Sequence, residues 1–476
     1  MRRNFLAISV ALSLALPVCV AAQDQSDTEQ TRTELEELRQ RIQELEIRLD
    51  QEPDKAATKT GDPEPALEPV PESDAARAVP SGNVFNPAIT LILDGRYRHL
   101  EQDPDTWEIG GFVPAGGHGH DDEGGHGHGA GPGERGFSLQ ESELTLSANI
   151  DPYWMGFFTA GVRNEAFDVE EAWIQNSGLV PGVVAKLGRF FSGFGYINQQ
   201  HPHAWDFSDA PLVMQAFYGG NLAEDGLQLR YVAPTPLFLE FGGEMGRGSS
   251  FPGSERNANG PNAWSLFAHL GGDVGFSHSY QVGASYRDTT AVEREYDDTD
   301  SAGNDIENVF SNLESNTWGV DFIWKWAPEG NPTSRNAKFQ TEYYVRTEDG
   351  EMGYDLDDMT GAFAQQGAYA SDQSGWYAQG VYQFMPRWRV GLRYDLLDSG
   401  TLTYEPITNG SITRDDLQLL REHKPERTTV MVDFSSSEFA RFRLQYAHDQ
   451  SRFDVTDDQI TFQFIVSLGS HGAHRF

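Results

Sequence analysis

From Phe85 onward, apolar and polar positions alternate with a period of two. Ile89, Leu91 and Leu93 share one parity, as do Leu144, Leu146, Ala148 and Ile150. The pattern returns at Leu237, Leu239 and Phe241, at Tyr280, Val282, Ala284 and Tyr286, and at Trp318, Val320, Phe322 and Trp324. Trp388, Val390, Leu392 and Tyr394 repeat it, and Ile460, Phe462, Phe464, Val466 and Leu468 close the chain in the same way. Segments of about ten residues, apolar on one parity and polar on the other, suit a wall with lipid on one side and water on the other. A soluble β-sandwich carries the same period, so the connections decide. Ala233–Pro236, Gly271–Gly275, Met385–Arg387 and Ser435–Ser437 read as tight turns. Long polar excursions at Gly246–Asn262, Asp288–Ser315, Glu348–Ser374 and Asp398–Glu426 lie between them. That rhythm marks a membrane barrel with short turns at one end and long loops at the other. Trp154, Trp264, Trp326, Trp376 and Trp388 fall near strand ends, where interfacial girdles sit.

The pattern predicts sixteen strands, near 88–99, 137–150, 154–163, 168–176, 183–191, 226–233, 236–245, 263–271, 276–287, 316–326, 337–347, 375–385, 387–397, 427–434, 439–449 and 458–468. The fold class expected is an all-β transmembrane protein, an antiparallel outer-membrane β-barrel preceded by a short α-helical coiled coil. An even strand count places both ends of the barrel on the short-turn side, the periplasm.

Ahead of the barrel the texture differs. Residues 1–22 read as a signal peptide: Arg2 and Arg3 are basic, Phe5–Val18 is apolar, and Val20-Ala21-Ala22 is a small-residue cleavage site. Cleavage there removes Cys19, the only cysteine, which excludes disulfides and thiolate-bound metals from the mature chain. Within residues 23–50, Leu35, Leu38, Ile42, Leu45 and Leu49 are spaced 3, 4, 3 and 4 apart, the a/d seam of a parallel coiled coil. Two to three heptads are marginal alone, so an oligomer is expected. Residues 51–84 form a linker rich in Pro, Ala and Glu. The barrel then occupies 85–476, with a His-rich loop over 101–136.

Charge narrows the partners. A net charge of −37 argues against nucleic acid, whose phosphates demand basic patches, and is compatible with attracting cations. The expected partners are outer-membrane lipid, the barrel-assembly machinery and further copies of the chain, with the N-terminal segment in the periplasm.

Three stretches carry a family resemblance. Phe85-Asn86-Pro87-Ala88-Ile89-Thr90-Leu91-Ile92-Leu93-Asp94-Gly95 opens the barrel, Gly188-Arg189-Phe190-Phe191-Ser192-Gly193-Phe194-Gly195 leads to His201-Pro202-His203, and the chain ends Ser467–Phe476. With the leading coiled coil they resemble outer-membrane porins of the phosphate-selective O/P type, and still more a porin-like group labelled zinc-regulated TonB-dependent outer-membrane receptors. The resemblance implies a channel in the outer membrane, assembled as a homotrimer. A TonB-dependent receptor has about 22 strands and a plug, neither of which this sequence predicts. A phosphate pathway implies a lysine ladder, and none stands out.

Candidate chemistry falls into three groups. His118, His120, His126 and His128, with Asp121, Asp122 and Glu123, sit in a glycine-rich stretch, and imidazoles with carboxylates suit divalent transition metals. Such a loop predicts weak, exchangeable Zn²⁺ capture; no cofactor is required. The long connection from Ser192 to Asp225 is the second group: folded into the lumen, it would place His201, His203, Asp206 and Asp209 at a constriction. The third is the inward parity, with Asp94, Arg96, Arg98, Glu141, Glu143, Lys338, Glu342, Arg346, Arg389, Arg393, Arg441 and Arg443. These tune selectivity in a pore or simply solvate a water-filled lumen. No G-x-S-x-G, H-E-x-x-H or phosphate loop occurs, so no enzyme is expected. The reading is a porin-like channel for small hydrophilic solutes, with divalent metal uptake as a finer expectation. A high-affinity metal receptor and a structural anchor are the alternatives.

Overall fold

The computed structural model describes residues 87–115, 131–139, 142–163, 166–355 and 365–469. The signal peptide, the heptads with Leu35, Leu38, Ile42, Leu45 and Leu49, the linker, and Phe476 lie outside these residues. So do Glu141 and the histidine-rich stretch from His118 to His128.

Strands β1 (Ala88–Leu100), β2 (Gly136–Leu139), β3 (Ser142–Asn149), β4 (Trp154–Arg163), β5 (Ala166–Val180) and β6 (Val183–Phe191) open the sheet. It continues through β7 (Ala223–Val232), β8 (Phe238–Gly246), β9 (Ala263–Val274), β10 (His278–Thr299), β11 (Asp305–Trp326) and β12 (Asn336–Tyr354). Strands β13 (Gln365–Met385), β14 (Trp388–Tyr404), β15 (Glu426–Ser437), β16 (Ala440–Gln450) and β17 (Asp457–Gly469) complete it. Every neighbour is antiparallel, and β1 closes the ring. One edge of β1 pairs with β17 from Thr90↔Gly469 to Leu100↔Gln459. Its other edge pairs with β2 through Gly95–Arg98 and with β3 through Ala88–Ile92. Strands β2 and β3 are therefore two segments of one stave, and the barrel has the sixteen staves that the alternation predicts.

Period two sets the two faces. In β17, Ile460, Phe462 and Phe464 are exposed outward while Thr461 and Gln463 are buried inward. Val390 and Leu392 on β14 and Trp318 and Val320 on β11 extend the same outer apolar band. An apolar exterior of this kind is stable only against lipid tails, and a closed ring leaves no backbone edge unsatisfied there.

The short connections lie at one end. Asp151 accepts from the Tyr153 and Trp154 amides at 2.8 and 2.9 Å to fold the β3–β4 turn. Gly182 turns β5 into β6 at φ +76°, where a Cβ would lie 2.6 Å from the Val232 carbonyl oxygen.

The opposite end differs from the expected long loops. Asp288–Ser315 and Glu348–Ser374 are largely strand: β10 runs to Thr299, β11 starts at Asp305, and only 300–304 turns. Strands β10 and β11 have 22 residues each, about twice the 9–11 needed to cross a membrane. Their projecting ends carry Tyr296, Phe310 and Leu313, packed with Met352, Tyr369 and Tyr404 and with Leu417, Leu419 and Leu420 of the 405–425 connection. The burial of these side chains in their own cluster explains why no lipid-facing parity announced those strands.

Candidate functional site

The connection between β6 and β7, residues 192–222, enters the barrel. Its helix α1 (Leu212–Tyr218) is apolar on nearly every side, and all seven of its residues are buried. A helix without a polar face must be enclosed. Phe194, Ile197, Trp205, Val213 and Phe217 from this segment form one core with Tyr344, Tyr377 and Leu397 of the wall and Ile109 and Phe112 of the first loop. Gly219, at φ +68°, ends the helix: its amide reaches the Gln215 carbonyl at 3.0 Å and the Gly220 amide reaches Met214 at 3.1 Å.

Wall side chains hold this segment from many staves. Arg393 donates to the Asp209 carbonyl and carboxylate, each at 2.9 Å. Arg427 meets the same carboxylate at 2.8 Å and the Ala210 carbonyl at 2.9 Å. Arg443 donates to the Trp205 carbonyl at 3.0 Å, Arg96 to that of Ser208, and Arg389 to Asp206 Oδ1 at 3.0 Å, beside Lys338. Glu342 accepts the Tyr196 and Ile197 amides at 3.1 and 3.0 Å. Glu244 accepts the Gly193 amide at 2.7 Å, and Asp395 accepts the Leu212 amide at 2.9 Å. Burial alone would raise the Asp206 and Asp209 carboxyls. Lys338 and Arg389 around the first, and Arg393 and Arg427 around the second, hold both well below the usual carboxylate range.

The expectation that Asp94, Arg96, Arg346, Arg393 and Arg443 solvate an open lumen is therefore corrected. Arg393 and Arg443 are about 99–100% buried, and their hydrogen bonds go to the inserted segment and to wall carboxylates. Asp94 is spent on Arg96 at 2.7 Å and Gln463 at 2.8 Å. The geometric reason is the segment itself, whose unpaired backbone carbonyls need donors in a space that water would otherwise fill. Arg389 and Arg441 also reach the cavity on the short-turn side.

Below the segment, on the short-turn side, lies a cavity of about 1040 Å³. Arg230, Lys325, Lys338, Arg387, Arg389 and Arg441 line it against Asp206, Glu240 and Glu438. Six cations against three carboxylates give a positive vestibule in a chain that is strongly acidic overall. Local potential follows the lining and not the net charge.

His201 and His203 are brought to the wall, not to the vestibule. His201 Nδ1 lies 3.2 Å from Glu143 and 3.1 Å from Glu170, and its Nε2 lies 2.9 Å from Glu171. His203 Nδ1 lies 2.7 Å from the second oxygen of Glu143. Each of Glu143, Glu170 and His201 can offer one ligand atom within 4.8 Å of the others. Sequence reasoning named Glu143 but not Glu170 or Glu171, since adjacent residues on a strand face opposite sides. It also passed over Arg427, Asp395 and Asp433. Their signal was available: Asp395 and Arg393 share a parity, as do Arg427 and Asp433.

No family model matches the chain. Solved structures resemble it at low identity. The loop-L8 deletion mutant of OmpT, an outer membrane protein of Vibrio cholerae, aligns at TM-score 0.49 and 9% identity over 81% of this chain and 100% of that one. The outer membrane channel DcaP of Acinetobacter baumannii aligns at 0.45 and 12% over 80% and 97%. The anion-selective porin of Comamonas acidovorans aligns at 0.44 and 10% over 80% and 99%. An uncharacterized protein of Aquifex aeolicus (strain VF5) is 30% identical over 413 residues, 83% of this chain and 81% of that one. That likeness runs through most of both sequences, and the chain belongs to one family with the Aquifex protein.

Proposed function

We propose that this protein is an outer-membrane channel for small hydrophilic solutes, narrowed by residues 192–222. One observation carries the reading: a closed barrel with a polar interior whose inserted segment leaves a solvent-sized vestibule of about 1040 Å³ on one side. The short turns and the strand termini face the periplasm, and the projecting hairpins face outward. The positive lining supports partition of small anions into the periplasmic vestibule. Divalent-cation bias is the opposing expectation, supported by the net charge of −37 and by the sequence from His118 to His128. The heptad seam supports a parallel oligomer and the porin resemblance a homotrimer, with lipid and the assembly machinery as the further partners.

Planar-bilayer recording of the full-length protein under KCl and ZnCl₂ gradients tests this. The expected result is small discrete conductance steps with a reversal potential on the anion side. A folded protein that never conducts would favour the structural anchor and overturn the channel. A reversal potential on the cation side would overturn the anion preference.

A further inference from the structure

We propose that Glu143, Glu170 and His201 form a binding site for one divalent first-row transition-metal ion on the inner wall, separate from the histidine-rich stretch. The strand geometry that presents these groups is specific. Strand β5 pairs with β4 as Glu171↔Thr159 and then Val169↔Ala160, which leaves Glu170 as the extra residue of a β-bulge. A regular strand would turn Glu170 and Glu171 to opposite faces. The bulge lets both bury, at 1% and 7% exposure. Bulges beside functional sites commonly re-aim a side chain in this way. Glu143 comes from β3, and His201 comes from the inserted segment, fixed ahead of Pro202.

The spacing suits an ion. Metal–ligand bonds of about 2.0–2.2 Å put neighbouring donors roughly 3.0 Å apart in octahedral and roughly 3.4 Å apart in tetrahedral geometry. His201 Nδ1 sits 3.2 Å from Glu143 Oε2 and 3.1 Å from Glu170 Oε2, so small outward movements would admit the ion.

The outer partners are also in place. A ligating imidazole is oriented by a carboxylate on its other nitrogen. Glu171 Oε2 takes that place at 2.9 Å from Nε2, while its Oε1 accepts the Phe191 amide at 3.2 Å and the Trp173 indole at 3.1 Å. His203 holds the remaining oxygen of Glu143 at 2.7 Å. His201 has carboxylates at both ring nitrogens, and a neutral imidazole carries only one N–H. One of these contacts therefore lacks an N–H, and a metal ion on the Nδ1 side would satisfy it while Nε2–H faces Glu171. One imidazole with two carboxylates selects zinc, cobalt or nickel over magnesium and calcium, which take all-oxygen sets. The His201 side chain keeps 17% exposure, a route for the ion from the lumen.

The test uses the full-length protein in detergent, with His118, His120, His126 and His128 all changed to Ser so that the other candidate does not contribute. Zn²⁺ titration calorimetry and Co²⁺ absorption are read on this background, with heat-modifiable electrophoretic mobility confirming the folded barrel. The expected result is one retained ion, undisplaced by millimolar Mg²⁺. Glu143→Gln, Glu170→Gln and His201→Asn should each weaken binding at least 100-fold, and Glu171→Gln about 10–100-fold as an orienting residue. Glu170→Gln leaves the His201–Glu143–His203 contacts in place, so it reports on the ion even where His201→Asn fails to fold. A background that binds no Zn²⁺ would show that a proton alone occupies the cluster and would overturn the proposal. Unchanged affinity in Glu143→Gln and Glu170→Gln, or displacement by Mg²⁺, would overturn it equally.

Discussion

Asp209→Ala removes one carboxylate that serves three wall residues. It accepts from Arg393 at 2.9 Å, from Arg427 at 2.8 Å and from Gln445 at 2.8 Å. Removing one partner of a buried ion pair costs about 3–5 kcal/mol, because the other charge is left without compensation. The lower end applies here. Arg393 keeps Asp395 at 2.9 Å, and Arg427 keeps Asp395 and Asp449, each at 3.7 Å. The barrel ladder is untouched, so the loss falls on the docking of residues 192–222. A change of about 3 kcal/mol multiplies the undocked population roughly 100-fold. Single-channel recording reads that population as excursions to a larger conductance level. The double variant Asp209→Ala/Arg427→Met should recover part of the effect, since replacing both partners costs less than orphaning one. An Asp209→Ala protein that stays heat-modifiable but shows the parent's distribution of conductance levels would refute the idea that this carboxylate bolts the segment in place.

The same anchoring predicts acid sensitivity. Asp206 and Asp209 are depressed in the docked state, so their contribution is full above the unfolded carboxylate value of about 3.9 and fades as pH falls below it; conductance should hold steady from neutral pH down to about 5 and rise below about 4. Leu392→Arg puts a charge on the outer apolar band, where it costs about 2–4 kcal/mol at mid-membrane depth; urea titration of refolding into vesicles should show the loss, and an unchanged midpoint would mean that this band does not face lipid. Ile42→Asp with Leu45→Asp places charge in the heptad seam, and light scattering should then report a smaller particle; an unchanged mass would take the seam out of assembly.

The barrel was legible because its signal is local. Phe462, Thr461, Phe464 and Gln463 state their faces by parity alone, and all sixteen staves fall within a few residues of their expected positions, with β10 to β14 running farther at one end. The projecting hairpins were not legible. Beyond the membrane Tyr296, Phe310 and Tyr369 turn inward to one another and to Leu419, so polar residues such as Asp297 and Glu307 break the lipid-facing pattern without ending the strand. The histidine–carboxylate cluster was half legible. Glu143 announced itself by parity and His201 by its position in a long connection. Glu170 depends on a bulge, and a bulge is a register event between two strands that no single strand's sequence declares.

The inserted segment also changes what inward arginines mean. Apart from α1 and two short 3₁₀ turns, residues 192–222 have little regular structure, so their carbonyls must find donors outside themselves. Arg96, Arg346, Arg393, Arg427 and Arg443 supply them at Ser208, Phe217, Asp209, Ala210 and Trp205. A guanidinium offers five donors in a rigid fork, enough to hold a carbonyl and a wall carboxylate together, as Arg443 does with Trp205 and Asp433. These side chains hold the segment largely by hydrogen bonding to its backbone, with the Asp206 and Asp209 carboxylates as its own side-chain anchors. They also have no field left to offer a passing ion, because each charge is already neutralised nearby. A count of inward arginines would therefore overstate anion selectivity. Selectivity should answer instead to the vestibule residues Arg230, Lys325, Arg387 and Arg441, and charge reversal at Arg441 should move the reversal potential more than reversal at any of the five anchoring arginines.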